Sequence, residues 1–446
     1  TICPALGKLC DELLVNVADH KTRFPTQVKK CKVAVNVETG EFTIWNDGPG
    51  IDIEIHPKWN MYKVQGIFGT LRSSSNFNDK EQRFTGGRNG YGAKLANVFS
   101  THFTVETCDG LKRYKQTWTN NMSTVNKPSI RTPSSKAPKP FTQISFIPDW
   151  TRFGEGVDSW TPSMLEWIGM RCVELAGTNP HLEVMFQTRK LPIKGFRSLS
   201  KSIGAALVPD HPIGFCTVNR RWEVGLTSSA PTSLGSCYSY VNSIATPKGG
   251  THVRHVRNQL VKGIKAALRK QYKSLRASTA LIESNMLLTL NAMIPNPAFG
   301  SQTKEELNSP ATKFGVKCAF TDTQLNKLLR DSGIVEEIAT RAKGTKYEAD
   351  QFDNGVKTKT LRIDKLDDAV WAGGPKSSQC TLILTEGDSA KSLAVSGLAV
   401  VGRQTYGVYP LRGVPLNARV ASEKDFAKKL EIVGSEPCAR PLGYGR

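Results

Sequence analysis

The chain has 446 residues, 39% of them hydrophobic and 22% charged, enough for two or three domains with ordinary cores and a mixture that argues against disorder. Sixty Lys and Arg against 39 Asp and Glu leave a formal charge of +21, which points to a polyanionic partner such as nucleic acid. No apolar run reaches a membrane span and the ten cysteines contain no Cys-x-x-Cys pair, which argues against a membrane segment, a zinc cluster and a disulfide framework, and for a reducing intracellular compartment.

The first predicted element is a helix over about 6–18. Leu9, Leu13 and Val17 share its apolar face, while Glu12, Asn16, Asp19 and His20 lie on another. Val33 to Val37 and Glu41 to Trp45 alternate like strands about the turn Glu38-Thr39-Gly40, a hairpin that ends at Asn46-Asp47-Gly48-Pro49-Gly50. Then comes Thr85-Gly86-Gly87-Arg88-Asn89-Gly90-Tyr91-Gly92-Ala93-Lys94, with a helix starting near Ala93. Its glycines free the backbone to aim N–H groups at one point, the helix N-terminus faces that point, and Lys94 adds a mobile charge: the composition of a phosphate cradle. It follows neither the Walker pattern nor the Gly-x-Gly-x-x-Gly of dinucleotide folds, and by itself such a loop is as often a plain turn. Strands are predicted at Phe103 to Thr107, Lys112 to Trp118 and Phe141 to Ile147, with Lys127 to Pro140 an exposed loop.

A second unit opens near Trp160 and takes in Leu182 to Phe186 and Trp222 to Leu226 before turning helical. No acidic residue stands between Glu223 and Glu283. In that interval Val256, Leu260, Ile264 and Ala267 keep an apolar stripe, and Arg254, Arg257, Lys262, Lys265, Arg269, Lys270, Lys273 and Arg276 share the remaining surface. A solvated face ordinarily mixes signs, so this one reads as a phosphate-tracking surface with Arg269, Lys270 and Lys273 as DNA contacts. His252 and His255 lack further metal ligands nearby and read as surface or phosphate-facing groups. Gly373 to Ser378 forms a linker into a third unit whose first strand is Cys380 to Thr385.

Glu12 and Asn16, one helical turn apart, suit a general base and a metal ligand over one phosphate tail. Asp47, followed by Gly-x-Gly, would offer a carboxylate to a flat base edge, and Thr142 would finish that pocket. This order of helix, strand-turn and glycine loop resembles the split ATP-binding fold of type II topoisomerases, Hsp90-like chaperones, MutL-like repair proteins and histidine kinases. Asp11-Glu12-Leu13-Leu14-Val15-Asn16, Ser73-Ser74-Ser75-Asn76, the Thr85 to Lys94 loop, Val241 to Thr246, Ser301-Gln302-Thr303-Lys304, Thr385-Glu386-Gly387-Asp388-Ser389-Ala390-Lys391 and Pro410-Leu411-Arg412-Gly413 resemble the eukaryotic-type topoisomerase II family. The likeness runs to about Glu431.

That resemblance implies a GHKL (Bergerat) ATPase α/β sandwich over 1–155, a ribosomal-protein-S5-like transducer domain over 156–372, and an incomplete, Rossmann-like Toprim segment over 373–446. It implies that Glu12 activates water and Asn16 holds Mg²⁺ on ATP. Asp47 would meet adenine, and Ser74, Ser75 and Asn76 the ribose and phosphate. Gly87, Arg88, Asn89, Gly90, Tyr91, Gly92, Ala93 and Lys94 would wrap the triphosphate, with Gln302, Thr303 and Lys304 reaching the γ-phosphate and Lys304 acting in catalysis. Glu386 would be a Toprim metal ligand. The implied partners are double-stranded DNA and a second copy in the full-length protein, with no membrane, in the nucleus or alternatively an organelle. The chain departs from the family at His20, where Asn is usual, and in its tail, which holds no Asp-x-Asp pair or cleavage tyrosine. A truncated start and an atypical end are therefore expected, with ATP hydrolysis as the activity. The alternatives are an inactive DNA-binding fragment and a chaperone-type or repair-type ATPase of the same superfamily.

Overall fold

Pro4 starts the first helix, α1 (Pro4–Arg23), where its missing N–H costs nothing, and His20, Lys21 and Arg23 close it at the negative end of its dipole. The computed structural model describes residues 2–70, 82–87, 90, 92–132, 139–229, 237–273, 275–342, 365–373 and 376–411. The chain divides into two compact units, residues 1–352 and 353–446.

After α1, strand β1 (Lys30–Asn36) alternates exposed and buried residues and pairs antiparallel with β2 (Glu41–Asp47). A small ribbon, β3 (Ile55–His56) and β4 (Met61–Tyr62), leads into α2 (Lys63–Gly69). Beyond the glycine loop come α3 (Gly92–Val98), β5 (Ser100–Cys108), β6 (Arg113–Thr119), β7 (Thr124–Val125), β8 (Ser129–Arg131) and β9 (Phe141–Pro148). The stretch read as loop from Lys127 to Pro140 thus holds a short strand, β8, paired with β6. Helix α4 (Pro162–Thr178) and strands β10 (Glu183–Phe186) and β11 (Arg189–Lys190) follow.

Strand Leu182 to Phe186, assigned from the sequence to the unit opening near Trp160, instead extends the first sheet. β10 pairs parallel with β1, and Val184 is buried opposite Cys31. Gln187 continues the ladder through its side chain, which accepts from Val35 N and donates to Val35 O. The sheet order is β11-β10-β1-β2-β9-β5-β6-β7, with β8 on β6. Helices α1 and α4 pack together beside it, joined through buried Arg171, whose guanidinium bonds Asp11 at 2.7 and 2.9 Å and also the Glu174 carboxylate.

A second sheet and its flanking helices follow in the order α5 (Phe196–Leu207), β12 (Gly214–Asn219), β13 (Trp222–Ser228), β14 (Cys237–Val241), β15 (Ile244–Ala245), α6 (Thr251–Gln271), α7 (Thr279–Ser284) and β16 (Met286–Ala292). Its order is β12-β13-β16-β14-β15. β16 is buried along its whole length, and β14 runs parallel to it through the crossover helix α6. Helix α8 (Asp322–Ser332), with a Thr321/Gln324 capping box, and a helix over 334–342 (α9) cover this sheet.

Val253, Val256, Leu260, Ile264 and Leu268 of α6 are buried, while Arg254, Lys262, Arg269 and Lys270 are exposed. His252 corrects its expected surface role. It lies on the buried stripe, wholly enclosed, 3.2 Å from the Thr246 hydroxyl, and burial pushes its imidazole down to about 3. The second unit holds β17 (Thr381–Thr385), α10 (Asp388–Val401) and β18 (Tyr406–Pro410), with the two strands parallel.

Candidate functional site

Helix α1 places Glu12, Asn16 and Asp19 along one side of a cavity of about 620 Å³. Gly87, Gly90, Gly92, Ala93 and Lys94 of the glycine loop and α3 line the same cavity, as do Thr142 of β9 and Gln302 and Lys304 from beyond β16. Asn16 is exposed to this space.

Glu12 is 7% exposed, and its Oε1 accepts from Lys304 Nζ at 2.7 Å and lies 3.1 Å from Lys8 Nζ. Lys304, also 7% exposed, holds this position with a backbone φ of 62°, a left-handed conformation that costs a lysine about 1–3 kcal/mol. The other oxygen of Glu12 faces Gly92, where a Cβ would stand 2.5 Å from Oε2. Only glycine lets the loop come this close. Lys94 Nζ donates to the Gly90 carbonyl at 2.5 Å, and burial pushes its ammonium down to about 8. Thr303 is exposed, bonded to the Ser301 hydroxyl, and does not line the cavity.

Asp47 does not reach the cavity. Its Oδ1 accepts from Lys29 N and Lys30 N, both at 2.7 Å. The reason is the two-residue period of β2: Phe42, Ile44 and Asn46 turn inward, and Asp47 turns away. Asn46 lines the cavity instead, in register with Thr142. Its Nδ2 donates to the Asp47 carbonyl at 2.7 Å and lies 2.9 Å from His20 Nδ1. Two acceptors for two amide protons leave Oδ1 without a donor among the described residues. Burial holds the His20 imidazole below the usual histidine range, with Arg23 adding to it against Asp47 and a hydrogen bond to Pro49.

Ser74, Ser75, Asn76, Arg88, Asn89 and Tyr91 lie outside the described residues. Glu386 follows β17 in the second unit with its side chain exposed. Among the described residues no three acidic, histidine or cysteine side chains are grouped to hold a metal ion, and no helix is long and apolar enough to cross a membrane.

The family model for histidine kinase-, DNA gyrase B-, and HSP90-like ATPases matches residues 3–120, and that for DNA gyrase B matches residues 201–354. The ATPase and transducer domains of DNA topoisomerase II from Balamuthia mandrillaris superpose with a TM-score of 0.71 at 38% identity, over 78% of this chain and 87% of that one. The chain belongs to the DNA topoisomerase II family. The ATPase region of Saccharomyces cerevisiae topoisomerase II gives a TM-score of 0.70 at 38% identity, over 78% of this chain and 87% of that one. DNA topoisomerase 2 of Candida albicans is 41% identical over 97% of this chain and 30% of its own length. The chain thus spans about 30% of the curated relatives it matches. It carries the ATPase fold and transducer domain of topoisomerase II.

On that topoisomerase II framework, Arg269 and Lys270 are exposed in the last turn of α6 and Lys273 is exposed just beyond it. Asn46 and Asp19 are polar cavity residues to which the sequence reading gave no role. Asn46 was hidden by its neighbour Asp47, although strand alternation from Phe42 and Ile44 marks it. Asp19 stands seven residues from Glu12, on the same helical face.

Proposed function

We propose that this chain binds Mg·ATP and hydrolyses it as the ATPase portion of a type II DNA topoisomerase, which couples hydrolysis to the passage of one DNA duplex through another. Glu12 would accept the proton of the attacking water, and Lys304 and the glycine-loop N–H groups would bear the charge on the γ-phosphate. Asn46 takes the base-reading role first given to Asp47, since its Oδ1 suits the exocyclic amine of adenine. Mg²⁺ commonly takes one or two protein ligands with phosphate oxygens and water, so the amide oxygen of Asn16 beside the cavity is a sufficient protein donor. When bound, the ion would neutralise charge on the transferring phosphoryl group.

The observation that carries this reading is the 2.7 Å contact between Glu12 and Lys304 inside a cavity walled by the glycine loop. Hydrolysis and nucleotide binding by wild type and Glu12→Gln, with and without DNA, test it. The variant should lose about 10²–10⁴-fold in turnover and keep its nucleotide affinity. Unchanged turnover, or a wild type that binds no ATP, overturns the reading.

The acid-free surface of α6 supports double-stranded DNA as partner through Arg269, Lys270 and Lys273, and membership of the family supports a homodimer of the full-length protein. Its compartment is then the nucleus or a DNA-bearing organelle. In the second unit the parallel β17-α10-β18 arrangement, with Glu386 at the carboxyl end of β17, supports the opening of a Toprim metal site.

A further inference from the structure

Two successive N–H groups near the start of the glycine loop are held by an anion of the protein itself. Gly86 N donates to Oδ1 of Asp19 at 2.6 Å, and Gly87 N donates to Oδ2 at 2.9 Å. Asp19 is 7% exposed and borders the cavity. One carboxylate taking two successive N–H groups is the arrangement by which such loops hold an oxyanion. The contact is tight: a Cβ at Gly86 would lie 2.8 Å from Val15 and Ile244 side chains, and one at Gly87 3.1 Å from Oδ2 of Asp19. At its far end the loop presses Gly92 against Glu12. One end of the loop is thus bonded to a carboxylate of α1 and the other packs against a second carboxylate on the same face, about 10 Å away along the helix.

We propose that Asp19 is the positioning residue of the nucleotide site, pinning the start of the glycine loop to α1 so that Gly90 to Lys94 meet the triphosphate at a set distance from Glu12. This rests on reading the cavity as an ATP site. Ionised Asp19 supplies both acceptors, one per N–H. The neutral acid turns one oxygen into a donor and releases one N–H. The charges facing Asp19 are Arg23 on its own helix and Lys304 from beyond β16; His20 and Lys94 border the same cavity. Burial outweighs both N–H bonds and both cations and pushes the Asp19 carboxyl up to about 6. The pin accordingly loosens as pH falls through that value.

The test is titration of a non-hydrolysable ATP analogue into wild type and Asp19→Asn from pH 5 to 8, with amide hydrogen exchange over 82–92 in the absence of nucleotide. At pH 8 the variant should bind about 10–100-fold more weakly, as expected for one lost bond to a charged acceptor, and Gly86 and Gly87 should exchange at least about tenfold faster. Wild-type affinity should fall towards that of the variant below about pH 6, and the step between the two profiles should vanish there. A wild type that binds the analogue while Asp19→Asn matches it in affinity and exchange overturns the proposal. If Asp19→Asn does not fold, Gly87→Ala, which crowds Oδ2 without altering α1, must show the same faster exchange at Gly86, and normal exchange overturns the proposal. A wild type that binds no analogue refutes the ATP-site reading instead, and the exchange comparison still decides whether Asp19 holds the loop.

Discussion

Lys304 reaches across 292 residues of sequence to place its Nζ 2.7 Å from Oε1 of Glu12. Each charge is buried, and each is the other's partner. While this contact stands, Oε1 of Glu12 is occupied by the lysine and is open to water only when something draws Lys304 away. On the proposed ATP reading a γ-phosphate would be such a group, and its loss on hydrolysis would return Lys304 to Glu12. Lys304→Ala should therefore lower ATP turnover by about 10²–10³-fold, the range of a lost transition-state donor. Combined with Glu12→Gln it should cost little more, because the two residues act as a unit. Steady-state kinetics of the two single variants and the double variant measure this, and strictly additive losses would count against the pairing.

Asn46 and Asp47 are adjacent on β2 and face opposite ways, so their variants should separate cleanly. Asn46→Ala removes the unengaged Oδ1 from the cavity and should weaken ATP binding about tenfold or more, the worth of a single hydrogen bond. Asp47→Ala removes acceptors from Lys29 N and Lys30 N and should lower thermal stability while leaving ATP affinity within a factor of about two or three. Calorimetric binding and melting curves on both variants read the difference. Equal loss of affinity in both would contradict the observed strand facing.

This pair also shows what was legible in the sequence. The helix carrying Glu12 and Asn16, the hairpin, the glycine loop and the basic face of α6 could be read because each is a local pattern of spacing and composition. The strand at β10 could be read too, but not the sheet it joins, since its parallel partner β1 lies some 150 residues away in sequence and pairing at that distance leaves no local trace. His252 was misread for another reason. Its place on the buried stripe of α6 is periodic, but the surface reading rested on the lack of further metal ligands near it and not on that periodicity. Asp19 was visible on the right face, yet its two bonds depend on where the loop returns, which only the fold determines.

Arg171 joins α1 to α4 by bonding Asp11 and Glu174, and Glu174 accepts from the Tyr240 hydroxyl at 2.7 Å, which brings in the second sheet. Arg171→Met would leave buried Glu174 without its cation and Asp11 with Lys8 alone, and should cost about 3–5 kcal/mol in urea unfolding. Burial pushes the Asp11 carboxyl up, but Arg171 and Lys8 more than reverse this and hold it at about 2. Its contribution to stability is present above its unfolded value of about 3.9 and lost as pH falls from there through about 2. Arg171→Met should show a much weaker loss over that acid range.

Asp19 carries the opposite sign. With its carboxyl raised to about 6, the folded protein binds the proton more tightly than the unfolded chain, so its contribution to stability is complete below about pH 4 and is lost as pH rises through 6. Asp19→Asn carries no such proton. The stability of wild type relative to this variant should therefore decline between about pH 4 and 6 and stay level above. Urea unfolding at five pH values in that interval measures it, and a flat difference would mean that the carboxyl is not raised.

The exposed end of α6 supplies the last prediction. Arg269 and Lys270 occupy its final turn and Lys273 follows, all exposed, in an interval that contains no acidic residue. If these groups contact phosphates, each contact removed should lower the slope of log affinity against log salt by about 0.9. Arg269→Glu with Lys270→Glu should thus reduce the slope by about 1.8 and weaken binding to duplexes of any sequence alike. Since both side chains are solvated and lie on the far surface from the buried stripe, ATP affinity without DNA should not change. Filter-binding or fluorescence titrations between 50 and 200 mM salt, the range over which such effects are usually resolved, decide the matter: an unchanged slope would reduce this face to a solvated one.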